Sequence, residues 1–183
     1  MIKDEVVLET KRLVLRKLKQ DDFSDVCDML QDLSVMYAWE KVFTDEEVKI
    51  WLKHMQARYE LDGFAYYLAI NKKTKEVIGQ VGLLKEVIDA RDYVGLGYML
   101  KRRYWGQGYA KEACNGCLQY AFEILKADAV IAEIRPSNTR SLRVAQSLGM
   151  SISFTFDKIY NEKVFPHLVY EIKKGDSFFE ISC

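Results

Sequence analysis

Histidine and proline are almost missing from these 183 residues: only His54, His167, Pro136 and Pro166 are present. Two imidazoles are too few for a histidine-rich zinc centre, so no metal is expected. A Ser-His-Asp triad has no nucleophile-elbow motif to support it. With two prolines and no Gly/Ser/Pro-rich stretch there is no linker, and one continuous domain over 1–183 is expected. Cysteine is scarce as well. Cys27, Cys114, Cys117 and Cys183 are irregularly spaced, which fits a reduced, cytoplasmic protein better than a disulfide scaffold. Net charge is absent, with 27 basic and 27 acidic residues, and this argues against a nucleic-acid partner. No apolar run approaches a membrane span. The opening MIKDEVVLETKR has neither the apolar core nor the cleavage site of a signal peptide. Against these absences stand 49% hydrophobic and 30% charged residues, the balance of an ordinary globular chain.

Hydrophobic periodicity predicts the elements. RLVLRKL (Arg12 to Leu18) alternates as a strand. Asp21 or Asp22 can cap a helix whose apolar face is Phe23, Val26, Met29, Leu30 and Leu33. Thr44 and Glu47 form a capping box ahead of a second helix, VKIWLKHMQARYEL. FAYYLAI, VIGQVGLL and YVGLGYML read as strands, the last with Gly95 and Gly97 inside it. Glycine within a strand signals a bulge or a close approach by ligand or backbone. A helix from about Gly108 to Leu125 follows, then strand AVIAEI, a helix from Asn138 to Leu148, and strands SISFTF and HLVYEI. Strands interleaved with helices give an α/β (α+β) fold, a mixed sheet with helices on its faces.

Two motifs sit side by side in RRYWGQGYAKEACNGC, Arg102 to Cys117. CNGC has the spacing of a redox or metal pair. However, Cys114 and Cys117 fall on the stripe Ala110, Ala113, Cys114, Cys117, Leu118, Ala121, Phe122 and Leu125, which keeps helical spacing. Free cysteine packs as a small hydrophobe, so core packing is the expected role. A thiol-redox or zinc protein built on this pair stays as a competing hypothesis. In WGQG, Gly106 and Gly108 lie between a strand and a helix N-terminus, where unpaired N–H groups and the helix dipole favour anions. Lys101, Arg102, Arg103 and Lys111 place positive charge around it. The loop is either a phosphate cradle or a plain turn between strand and helix. It is not a P-loop, and Lys111 occupies the place where a dinucleotide fingerprint needs its third glycine or alanine.

RRYWGQGYAKEA resembles the acetyl-CoA signature of the GNAT N-acetyltransferases, Arg/Gln-x-x-Gly-x-Gly/Ala, with Arg103, Gly106 and Gly108 at its fixed positions. LETKRLVLRKL resembles the first strand of the ribosomal-protein N-terminal acetyltransferase (RimJ/RimL-type) branch, and VIGQVGLL its third strand. RPSNTRSLRVAQSLGM resembles the family's Asn-x-x-Ser helix followed by a Leu-Gly step. The resemblance runs over nearly the whole chain. It implies a splayed mixed sheet of about seven strands flanked by four helices, with acetyl-CoA as cosubstrate in the gap between the fourth and fifth strands. The pantetheine arm is then expected along the backbone of Met99, Leu100 and Lys101. The pyrophosphate is expected on the segment Arg103, Tyr104, Trp105, Gly106, Gln107, Gly108, Tyr109 and Ala110. Asn138 matches the family's cofactor-contacting asparagine and Ser141 a serine near the thiol end. Read without the family, PSN is an ordinary helix N-cap.

The implied reaction is transfer of an acetyl group to a primary amine, by direct attack in a ternary complex. The amine is a protein N-terminal α-amine or a small-molecule amine. Many members of the family carry a glutamate in the fourth strand. Here the run is GLGYML, and Gly95 stands in its place. Glu133 is the candidate substitute base, Ser141 the candidate acid for the departing thiolate, and Tyr98 and Tyr160 are alternatives. Tyr37, Trp39 and Phe43 are expected to wall the acceptor site. His167 is expected to be structural. A monomer or homodimer with no membrane partner is expected. The missing glutamate also motivates an alternative, a non-catalytic acyl-CoA-binding module acting as a sensor or partner-binding domain.

Overall fold

The computed structural model describes residues 6–160 and 162–176. These residues form eight strands and four α-helices in one sheet, with strand order β1-β2-β3-β4-β5-β6-β8-β7. The elements are β1 (Val6–Glu9), β2 (Leu13–Lys17), α1 (Phe23–Leu30), α2 (Asp45–Leu61), β3 (Tyr66–Asn71) and β4 (Val77–Ile88). They continue with β5 (Arg91–Leu100), α3 (Tyr109–Glu123), β6 (Ala129–Ile134), α4 (Thr139–Ser147), β7 (Ser151–Tyr160) and β8 (Lys163–Lys173). Every pairing is antiparallel except β5 with β6. Successive residues Tyr66 to Ala69 of β3 are all buried, which requires cover on both faces of the sheet.

The eighth strand corrects the expected seven. β1 follows a charge-rich opening and, as VVLE, has only four residues, too few for an alternation to register; it pairs antiparallel with β2. α1 also differs from expectation. It ends at Leu30, leaving Leu33 67% exposed. Asp22 makes no side-chain cap bond; its carboxylate instead accepts from Arg16 at 2.6 and 2.8 Å and from the Lys19 amide at 2.8 Å. An arginine on the neighbouring strand outcompetes the helix N–H groups for that carboxylate. The capping box of α2 forms as expected, with Thr44 N–H donating to Glu47 and Glu47 N–H to Thr44 Oγ1.

β4 and β5 are longer than their apolar runs. They form one hairpin, paired from Gly79–Leu100 to Ile88–Arg91, and turn through Asp89 and Ala90. Both turn residues have positive φ, 48° and 60°, the requirement of the tight turn that suits strand twist. α3 packs Cys114 and Cys117 fully into the core, as the stripe demands. The Asn115-Gly116 step stays helical. A β-carbon on Gly116 would sit 3.0 Å from both Leu8 and Thr10, so glycine is what lets α3 lie close against β1.

Candidate active site

β5 and β6 meet at one register position, Gly95 beside Ile131. Beyond it β5 continues to Leu100 bonded only to β4, and the sheet splays open. Lys101 N–H donates to Ile78 O at 3.0 Å. Backbone groups alternate sides along a strand, so Met99 faces β4 with Lys101, while Tyr98 and Leu100 face the gap. Of the three residues expected to pair with a pantetheine arm, only Leu100 therefore presents its amide to the gap. The Leu100 carbonyl already accepts the Trp105 indole N–H at 2.9 Å.

The splay leads to the glycine loop. Gly106 and Gly108 both have left-handed backbone, φ 72° and 78°, and both are exposed. Nothing lies within 4 Å of a β-carbon built on Gly106. Gly108 is the N-cap of α3 and has no side chain to cap it. Its carbonyl takes the first helical bond, from Glu112 N–H, which leaves the amides of Tyr109 and Ala110 at an open helix N-terminus. Arg102 and Arg103 are exposed beside the loop, and the Arg140 guanidinium from α4 stacks 4.6 Å over the Trp105 ring. Gln107 folds back to donate to Arg103 O. Tyr104 is buried and its hydroxyl has no hydrogen-bond partner. Lys101 does not add charge to the loop, contrary to expectation. Its buried ammonium pairs with Asp25 and Asp28 of α1 at 2.6 and 2.8 Å.

A residue far away in sequence holds the loop in place. Arg12, just before β2, donates through Nε to Glu112 at 2.5 Å and through Nη1 to Gln107 O at 3.0 Å, and it stacks 4.2 Å over the Tyr109 ring. The Glu112 carboxylate also accepts from Thr10 Oγ1 and the Arg12 amide. Burial opposes its ionisation, but these hydrogen bonds win, and its pKa falls below the usual carboxylate value.

At the other end of the splay is a cleft of about 500 Å³. Gly95 and Gly97 form part of its floor; Gly95 is covered by a side chain from the adjacent β4 and Gly97 by one that reaches from β3 across β4. Glu86 of β4 leans over Gly95, where a β-carbon would meet Glu86 Cγ at 2.7 Å. The Tyr66 ring of β3 lies over Gly97 and would overlap any β-carbon there. The glycines in the strand therefore admit side chains. Burial raises the Glu86 pKa, Glu133 raises it further, and Lys158 and Arg58 oppose. Glu86 makes no hydrogen bond or ion pair with any described residue.

The expected site residues divide. Glu133 lines the cleft but is tied to Lys158 at 2.7 Å. Tyr98 donates its hydroxyl to Ser141 O at 3.0 Å, and burial pushes its pKa up. Ser141 lines the cleft, with its amide held by Asn138 and its hydroxyl making no hydrogen bond among the described residues. Asn138 is the N-cap of α4, as expected of PSN, accepts from Tyr37 at 2.5 Å and also lines the cleft. Tyr37 is thus a strut between the α1–α2 loop and α4. Trp39 and Phe43 do line the cleft. Tyr160 ends β7, but its side chain lies outside what the structure describes, as does Cys183. His167 also lines the cleft, with Nδ1 held 2.8 Å from Phe165 O and its pKa lowered chiefly by burial.

Sequence reasoning missed Glu86, Tyr66, Trp51 and Arg12. A signal for Glu86 existed in the hairpin register. Once Asp89-Ala90 is taken as the turn, Glu86 falls next to the strand glycines. No Asn-Gly or Asp-Gly marks that turn, so the register could not be counted from sequence.

A splayed parallel step, an open glycine turn at a helix N-terminus and a cleft at the far end define an acyl-CoA-dependent transferase. The chain matches the acetyltransferase (GNAT) domain over residues 12–151 and belongs to that family, whose cosubstrate is acetyl-CoA. It is 34% identical over 167 residues to the uncharacterized protein YkkB of Bacillus subtilis (strain 168), covering 91% of this chain and 95% of the relative. It is also 34% identical over 145 residues to the uncharacterized N-acetyltransferase p20 of Bacillus licheniformis, covering 78% of this chain and 80% of the relative. Among solved structures, the GNAT-family acetyltransferase from Bacillus anthracis superposes with a TM-score of 0.77 at 26% identity, covering 91% of this chain and 97% of that one. The chain is an N-acetyltransferase. No helix among the described residues is long and apolar enough to cross a membrane.

Proposed function

We propose that this chain moves the acetyl group of acetyl-CoA to a primary amine by direct attack in a ternary complex. The observation that carries this reading is the continuity of the open α3 N-terminus, the unpaired edge of β5 and the cleft. The amides of Tyr109 and Ala110, with Gly106 and Gly108, suit a pyrophosphate. The glycine loop is exposed and Gly106 faces open space, so the residues present fit the group. Leu100 N–H, on the open side of β5, is available to a pantetheine amide or to the thioester oxygen as charge develops.

Glu86 is the base in this reading. An ammonium in the cleft gives a proton to the Glu86 carboxylate and becomes a neutral amine. The amine nitrogen bonds to the thioester carbon and releases its second proton to water, the C–S bond breaks, and the thiolate takes the Ser141 hydroxyl proton. Ser141 regains a proton from solvent, and Glu86 returns its own to water. A carboxylate with a raised pKa suits the task, because a base is most effective with its pKa near the working pH. Glu86 also removes the motive for the binding-only alternative, since it brings a carboxylate to the place where Gly95 has none.

The single-domain organisation and the placement near the ribosomal-protein branch are part of this proposal. The latter rests on the first-strand run LETKRLVLRKL. Calorimetric titration with acetyl-CoA, followed by thiol release with a primary amine, tests the whole reading. One saturable site per chain and amine-dependent release are expected. Absence of acetyl-CoA binding would overturn it.

A further inference from the structure

The cleft holds two polar groups that the fold leaves without partners. The Glu86 carboxylate has no protein cation in bonding distance. Tyr66 is 5% exposed, lines the cleft, and its hydroxyl has no hydrogen-bond partner among the described residues. That hydroxyl opens on the cleft, where a ligand or water can supply its partner. Both groups lie over the same face of β5, since Gly95 and Gly97 are two residues apart. Tyr66 packs against Trp51 at 5.7 Å between ring centroids, and Trp51 meets Phe43 edge-on at 6.1 Å.

The remaining charge in the cleft is basic. Lys41, Arg58, Arg135 and Lys158 line it, against Glu86 and Glu133. The four cations already have partners: Glu47 for Lys41, Asp62 for Arg58, Glu40 for Arg135 and Glu133 for Lys158. One positive charge fits at Glu86, and a second would fall among these four.

We propose that the acceptor is a compact monoamine with an apolar or aromatic body. Its ammonium sits between the Glu86 carboxylate and the Tyr66 hydroxyl, and its body lies against Trp51 and Phe43. Polyamines are disfavoured because a second ammonium meets only carboxylates already held by Lys41, Arg58, Arg135 and Lys158. A cleft of about 500 Å³ encloses a whole molecule of this size. A cation held over aromatic faces gains attraction from the rings as well as from the carboxylate. The inference rests on the acetyl-transfer reading, which fails separately if acetyl-CoA does not bind.

The experiment compares three acceptors with the purified full chain under saturating acetyl-CoA. They are 2-phenylethylamine, spermidine, and a short peptide with a blocked N-terminus and one lysine. The expected kcat/KM for 2-phenylethylamine exceeds that for spermidine several-fold, because the further ammonium groups of spermidine meet only carboxylates that already have partners. Tyr66→Phe is expected to raise the KM for 2-phenylethylamine while acetyl-CoA affinity, read by calorimetry, is unchanged. Glu86→Gln is expected to lose turnover with the same unchanged affinity, which also shows that it is folded. Preference for spermidine or for the lysine peptide overturns the inference. So does wild-type amine kinetics in either variant, or bound acetyl-CoA with no turnover of 2-phenylethylamine.

Discussion

The Glu86 side chain occupies the space that a side chain at position 95 would need. A β-carbon on Gly95 would stand 2.7 Å from Glu86 Cγ and 3.5 Å from Leu84 O. The glycine and the glutamate are therefore one device built across two strands. Gly95→Ala should push the carboxylate aside and lower kcat without weakening acetyl-CoA binding. Glu86→Gln should cost about 10² to 10⁴-fold in kcat, the usual contribution of a positioned base. The pH profile separates the two. The base works as a carboxylate, so wild-type activity should fall as pH drops through the Glu86 pKa, which burial and Glu133 raise against Lys158 and Arg58. That acid limb should disappear in Glu86→Gln, and its survival would assign the limb to another group.

Gly108 combines left-handed backbone with a position at the open end of α3, and a β-carbon there would meet Arg12 at 3.4 Å. Gly108→Trp should both strain the turn and fill the space above the amides of Tyr109 and Ala110. The expected result is loss of measurable acetyl-CoA binding by calorimetry with the fold retained by circular dichroism. Normal affinity would remove the glycine loop from the binding site.

The sequence was most legible where one element's chemistry is local. Gly106 and Gly108 at a strand-to-helix turn, the Thr44–Glu47 capping box and the cysteine stripe of α3 all needed only near neighbours in the chain, and all stand as read. The catalytic end was least legible because it depends on register. Glu86 gains its meaning from lying over Gly95 of β5, and Tyr66 from lying over Gly97. Neither relation has a local signature. Arg12 was hidden for the same reason: its partner Glu112 is 100 residues away.

Glu112 ties the first turn of α3 to the start of β2 through Thr10 and Arg12. Glu112→Gln should raise the KM for acetyl-CoA several-fold by loosening the loop, and reduce stability at pH 7 by about 1 to 3 kcal/mol, the range for hydrogen bonds to a charged group. The pH dependence follows from the lowered pKa. The wild-type advantage is fully present above the ordinary glutamate pKa and is lost as pH falls through the lower folded value. Urea melts at pH 7 and near pH 3 should therefore show the gap narrowing in acid, and a gap that widens would contradict the ion pair.

Cys114 and Cys117 are fully buried, and burial raises both thiol pKa values, that of Cys117 to about 12. Such thiols are not thiolates at neutral pH and are poor nucleophiles or metal ligands. Replacing both by alanine should leave acetyl-CoA affinity and turnover near wild type while lowering the melting temperature. Loss of turnover in a folded double variant would reopen a chemical role for the pair.

Lys101 gives the sharpest contrast between partners. Its side chain is 6% exposed, whereas Asp25 and Asp28 are 38% and 54% exposed. Removing the lysine leaves two carboxylates that water can reach. Removing the carboxylates leaves an ammonium buried at the end of β5 with no counter-charge. Lys101→Met should therefore be nearly neutral in a urea melt, because the apolar stem is kept and the acids rehydrate. The double variant Asp25→Asn with Asp28→Asn should lose about 3 kcal/mol or more, the usual cost of stranding a buried charge. It should also weaken acetyl-CoA binding, because Lys101 follows Leu100, whose amide faces the splay. Equal losses in the two variants would mean that the pair stabilises by attraction alone, with no asymmetry from burial.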